Sequence, residues 1–122
     1  MRRLSLRCAL VLTGLISVSA EAATVNLSWN ANTEADLALI PYRFYQAPGT
    51  CLVPGAFATV GTAAKAATTA TVTVATDGTY CFRMTATDTA GNESLFSNTA
   101  EAVVNVNPPL APANFRVLSV TP

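Results

Sequence analysis

Residues 79–98 read TYCFRMTATDTAGNESLFSN. From 80 to 87 the side chains alternate: Tyr80, Phe82, Met84 and Ala86 fall on one face, and Cys81, Arg83, Thr85 and Thr87 on the other. Successive side chains of a pleated backbone leave on opposite sides, so a period of two marks a half-buried strand. The alternation stops at DTAGNES, residues 88–94, where Asp, Gly and Asn bring turn chemistry. TDGT at 76–79 places a tight turn on the other flank. A strand held between two turns is the unit on which the rest of the chain is read.

The same pattern recurs on both sides of it. TVNLSWN, 24–30, alternates Val25, Leu27 and Trp29 with polar neighbours. After the turn-like ANTEAD comes YRFYQ, 42–46, which alternates again. APGTCLVPG, 47–55, carries two prolines and two glycines in nine residues and reads as loop. A short strand is expected over 56–60, a β-branched one over 69–74 (TATVTV), and a last one over 96–106. Residues 63–67 are alanine-rich but too few to hold a helix alone. Short strands at regular spacing with no helical period predict an all-β antiparallel β-sandwich.

The chain opens with Arg2, Arg3 and Arg7, an apolar run over 8–19, and Ala20-Glu21-Ala22, the pattern of a cleaved signal peptide over residues 1–22. The apolar run is about twelve residues, short of the roughly 20 that a spanning helix needs. A lipoprotein reading would use Cys8, but Arg7 stands where a small residue belongs. Cleavage after Ala22 removes three of seven basic and one of seven acidic residues, leaving four against six. So slight a charge offers no basic stripe to nucleic acid or anionic lipid. Residues 23–106 then form one domain, followed by a proline-rich linker and tail over 107–122. Cys51 and Cys81 remain after processing, and an even count in an exported chain favours a disulfide between them.

VNLSWN (25–30), DLALIPYRFYQ (36–46) and above all TYCFRMTATDTAGNESLFSN resemble the fibronectin type III module, in the form common in exported bacterial proteins. The resemblance covers residues 25 to about 106. It implies an immunoglobulin-like antiparallel sandwich, with Trp29 and Tyr42 in the core between facing sheets and Tyr80 opening the strand usually labelled F, on which Phe82 also points inward. LIP, 39–41, looks like a small insertion before the third strand. In that family a strand A precedes strand B and lies beside it, whereas this mature chain begins almost at B. The tail PPLAPANFRVLSV, 108–120, resembles such a strand, with Phe115 and Val117 at period two as candidate donor residues. Three fates follow for it: folding back onto its own domain, completing a second subunit in a head-to-tail filament, or remaining a spacer.

The chemistry of catalysis is sparse. Histidine is absent from the whole chain, and the carboxylates Glu34, Asp36, Asp77, Asp88, Glu93 and Glu101 are scattered. Asp88 and Glu93 share a loop and are the one candidate acid-base pair; the stronger expectation is that Asp88 caps the turn, with Gly91 and Asn92 in left-handed backbone positions. Calcium would need more oxygen ligands than this loop carries, and the D-x-D-x-D-G spacing is missing. Neither a C-x-x-C motif for metal or redox work nor a cofactor signature is present. Loops on a rigid sandwich usually carry recognition, which nominates 47–55 and Asp88, Asn92 and Glu93. An R-G-D tripeptide, found in adhesive members of the family, is lacking. Arg83 with Tyr45 offers a small platform for sugar or peptide. The expectation is a non-catalytic, secreted or cell-surface module with structural or interaction roles, needing no cofactor or metal. Its alternatives are a strand-donating filament subunit and a carbohydrate-binding accessory domain. The partners expected are protein, a second copy included, or extracellular glycan.

Overall fold

The computed structural model describes residues 22–122, so the expected leader lies outside the described residues apart from Ala22. Six strands follow in order: β1 (Ala23–Ser28), β2 (Leu37–Pro48), β3 (Ala58–Ala63), β4 (Thr69–Val74), β5 (Gly78–Asp88) and β6 (Ala100–Val104). No helix occurs among the described residues. The strands form two antiparallel sheets, one of order β1-β4 and one of order β3-β2-β5-β6. This all-β, two-sheet arrangement is consistent with a β-sandwich.

The alternating residues supply the core. Val72 and Val74 of β4 pack with Tyr80 and Phe82 of β5 and Val104 of β6, and Ala23, Val25 and Leu27 of β1 close over them from the smaller sheet. Tyr42 and Phe44 of β2 are buried at the other end, where the Trp29 ring meets theirs at centroid distances of 5.3 and 5.2 Å. The Tyr80 hydroxyl donates to the Thr76 carbonyl at 3.1 Å and lies 2.6 Å from Thr76 Oγ1, so the phenol ties its own strand back to the preceding turn.

Cys51 and Cys81 are disulfide-bonded, with Cα atoms 5.0 Å apart. The bond fastens the 49–57 loop to the outer face of β5, and the Cys51 amide donates to Glu101 Oε1 on β6 at 2.8 Å. Gly49 enters this loop at φ +104°, and a Cβ there would stand 2.8 Å from the Val53 carbonyl oxygen. Only glycine fits both conditions.

Several boundaries differ from the sequence reading. Strand β2 begins at Leu37, because the 39–41 insertion is absorbed as a bulge: Leu37 pairs with Asp88 and Tyr42 with Ala86. Extra residues in one strand push outward, so Leu39 and Ile40 are exposed while Pro41 is buried. Strand β3 starts at Ala58 rather than 56, since Gly55 first donates back to the Pro48 carbonyl to close the disulfide loop. Strand β6 is shorter than the expected 96–106. Ser94 and Ser97 donate their amides to the Ala86 and Met84 carbonyls, yet their hydroxyls, not backbone carbonyls, accept from the Ala86 and Met84 amides. Side-chain acceptors of this kind displace the ladder. No strand is formed within 113–120, the segment that resembles strand A.

Candidate functional site

The two sheets differ in width, and that difference makes the site. Strand β4 touches β3, which sets β4 toward the β3 side of the larger sheet and β1 toward the β6 side. Strand β1 pairs only with β4. Its other edge has no strand beside it among the described residues. At the Trp29 end of that edge lies a cleft of about 650 Å³, bounded by residues 27–30, Asn32, Tyr42 and Phe44, residues 82–86, and Ser94, Leu95, Ser97 and Asn98 on the approach to β6.

The cleft floor is core left uncovered. Trp29 stands just past β1 and is half-buried rather than enclosed, although it packs on Tyr42 and Phe44. Its indole Nε1–H is buried and finds no acceptor in the protein. Leu95, at the rim, is 92% exposed. The hydroxyl of Tyr42 accepts from the Asn32 amide at 2.8 Å, holding the cleft's far end in shape. The groove thus sets an apolar floor beside a strand edge whose main-chain groups have no strand partner among the described residues.

The tail leaves the fold at a defined point. Val104 pairs with Gly78 while Ala23 pairs with Val74, so the end of β6 and the start of β1 lie at the same pole, on either side of the β4–β5 turn. Asp77 of that turn accepts from the Val106 amide and the Asn107 side chain. Beyond Asn107 no residue joins the core. Phe115 and Val117, the candidate donor residues, are 93% and 75% exposed, and Leu118 and Val120 are exposed as well.

The opposite, outer face of the larger sheet carries a closed cluster. The Arg83 guanidinium lies between Phe57 and Phe96, 3.7 and 3.5 Å from the two ring centroids. Tyr45 meets Phe96 edge-on at 5.2 Å and donates its hydroxyl to Glu93 Oε2, which also accepts from Thr85 Oγ1 at 2.6 Å. Both faces of the Arg83 cation are taken by the protein's own rings. The flat Tyr45–Arg83 platform expected for a sugar is therefore a filled stack, and Phe57 and Phe96 are the residues that fill it. Phe57 falls within the strand expected over 56–60 but sits in the loop just before β3, which the disulfide holds against β5.

The 88–93 turn separates its two carboxylates. Asp88 Oδ1 accepts from the Ala90 and Asn92 amides at 3.0 and 2.8 Å, and Oδ2 from the Asn92 side chain at 3.0 Å. Gly91 takes the left-handed position at φ +89°; Asn92, expected there too, does not, since its side chain is spent on Asp88. The Asn92 side chain, then its amide, hold the Asp88 carboxyl below its ordinary value. Glu93 points instead to the sheet, where the Thr85 hydroxyl first, then Tyr45 and the Arg43 charge, hold it low as well. Arg43 Nη1 stands 4.0 Å from Glu93 Oε2. Two carboxylates kept ionised by fixed donors, facing different ways, make poor proton shuttles.

Among the described residues no group of three or more His, Cys, Asp or Glu is placed to hold a metal ion, and no helix is long and apolar enough to cross a membrane. No family model matches this chain, and no curated protein matches it.

Proposed function

We propose that this chain is a non-catalytic, exported interaction module of the fibronectin type III kind, and that it binds an extended segment of a protein partner along the open edge of β1. Three features support the family reading. The pair β1-β4 facing β3-β2-β5-β6 has the order of that sandwich less the strand beside β1. The Tyr80 hydroxyl bonded back to Thr76 matches the tyrosine corner of immunoglobulin-like folds. The inserted residues 39–41 leave the pairing of β2 with β5 intact on both sides. Export fits the Cys51–Cys81 disulfide, which persists only in an oxidising compartment.

The observation that carries the interaction reading is the unpaired β1 edge beside the 650 Å³ cleft. Its main-chain groups supply affinity and the cleft supplies pockets for alternate side chains, the division of labour in β-strand addition. A two-dimensional amide spectrum, recorded while titrating peptides of alternating apolar and polar residues, tests it. Shifts should gather at residues 23–30 and 94–98. No shifts at all would remove the groove as a peptide site; shifts confined to Tyr45, Phe57 and Phe96 would move binding to the outer face.

A further inference from the structure

The chain itself carries a segment of the kind that groove takes. Residues 113–120, ANFRVLSV, bend at Asn114, which takes φ +58°; drawn out as a strand, the segment beyond that bend puts Phe115 and Val117 on one side with Arg116 between them, and nothing in the fold covers them. An exposed apolar strand and an exposed apolar slot in one molecule are complementary. We infer that residues 113–120 of one copy add to the β1 edge of a second copy, with Phe115 and Val117 seated in its cleft, and that repetition of this contact joins subunits head to tail. The inference rests on the groove proposed above and names its occupant.

Reach and direction favour a second copy. The tail departs from the pole where β1 begins, after the Asp77 clasp on residues 106 and 107. To run antiparallel to its own β1, as the other pairings of the molecule run, it must first return to the Trp29 end. That path follows a six-residue strand, about 20 Å long at a strand's rise, and crosses between sheets about 10 Å apart. From Asn107 to Ala113 the proline-rich linker spans about 19 Å in extended form. No length is left for a reversal at either end. A second copy stacked beyond that pole meets the tail in the direction it already travels. The contact uses different surfaces on the two subunits, so a dimer leaves one tail and one groove unfilled, and further copies add until a ring closes or a filament grows.

The tail takes no part in the core, so changing it spares the fold. Full-length mature protein, followed by light scattering on a sizing column over rising concentration, should form species larger than a dimer. Phe115→Asp in the full chain, and deletion of residues 109–122, should each leave a monomer. A synthetic 109–122 peptide should bind the shortened protein, and its Phe115→Asp version should bind roughly 10- to 100-fold more weakly, the factor that burying one phenylalanine side chain carries. Each failure points to a different step. A full-length monomer whose shortened form binds the peptide would mean the tail seats in its own groove, which overturns donation between copies. Alternating strand peptides that bind where the tail peptide does not would overturn the tail as occupant and keep the groove. Silence from every peptide, with monomer throughout, would overturn both.

Discussion

Strands β5 and β1 begin from similar sequence and end in different circumstances. Both alternate apolar and polar residues, and both send their apolar face into the same cluster. Strand β5 has a neighbour on each side, a disulfide through Cys81 and a ring-stacked Arg83 on its outer face. Strand β1 has one neighbour among the described residues, and the large side chain at its end is half-buried. Alternation reports which face turns inward. It says nothing about whether an edge is taken, because edge pairing uses main-chain groups that every residue carries alike.

The contrast is sharpest where one large side chain is removed from each side. Phe82, almost wholly buried in β5, should cost about 3 to 5 kcal/mol on substitution by alanine. Replacing both Cys51 and Cys81 with serine should cost about 3 to 4 kcal/mol, the chain-entropy value for a loop spanning 30 residues. Urea unfolding measures both. The expected order places these changes above anything done beside the cleft.

Trp29→Ala should cost about 2 kcal/mol by the same measurement, less than Phe82→Ala although the side chain is larger, because part of the indole already faces solvent. Equal losses would mean that β1's end is covered. The order also has a conditional form. At concentrations where subunits associate, Trp29→Ala should lower the melting temperature of the full-length protein more than that of the shortened one, since ligand binding adds to apparent stability. Ser97→Ala comes next, at less than about 1 kcal/mol: the Met84 amide loses a hydroxyl acceptor in a place that water reaches.

The sequence carried the sandwich well and the site unevenly. Period-two runs located β1, β4 and β5 to within a few residues, since each strand has one dry face. Bounds failed where something other than burial set them. Ser94 falls in the expected 88–94 loop and Ser97 in the expected last strand, yet the hydroxyls of both replace backbone partners on β5. Phe57 reaches Arg83 from the disulfide-bonded 49–57 loop and Phe96 from the segment between β5 and β6, a meeting that spans 39 residues of sequence and that no local pattern shows. The two-stranded smaller sheet, with no strand on the far side of β1 among the described residues, was legible through the family likeness; the cleft beside it was not. Its volume and its floor of Trp29 and Phe82 depend on how two sheets of unequal width overlap, which no local pattern encodes.

The smallest effect concerns the outer face and distinguishes it from the cleft, whose lining holds no carboxylate. Glu93 and Asp88 both have carboxyls held below their ordinary values in the folded protein. A group with a depressed folded value contributes stability at pH above its unfolded value, near 4 for these side chains, and loses that contribution as pH falls through the folded value. The protein should therefore hold a constant melting temperature from pH 7 to about 5 and lose some of it below about 4. In Glu93→Gln the carboxamide oxygen still accepts from Thr85 and Tyr45 but carries no charge to protonate. That variant should start lower at pH 7 and decline less, so the two curves converge toward pH 2. Parallel curves would mean that Glu93 keeps the same proton affinity folded and unfolded, and that Thr85, Tyr45 and Arg43 do not favour its charged form. Neither result should alter tail-peptide binding, because Glu93 is not among the residues that line the cleft.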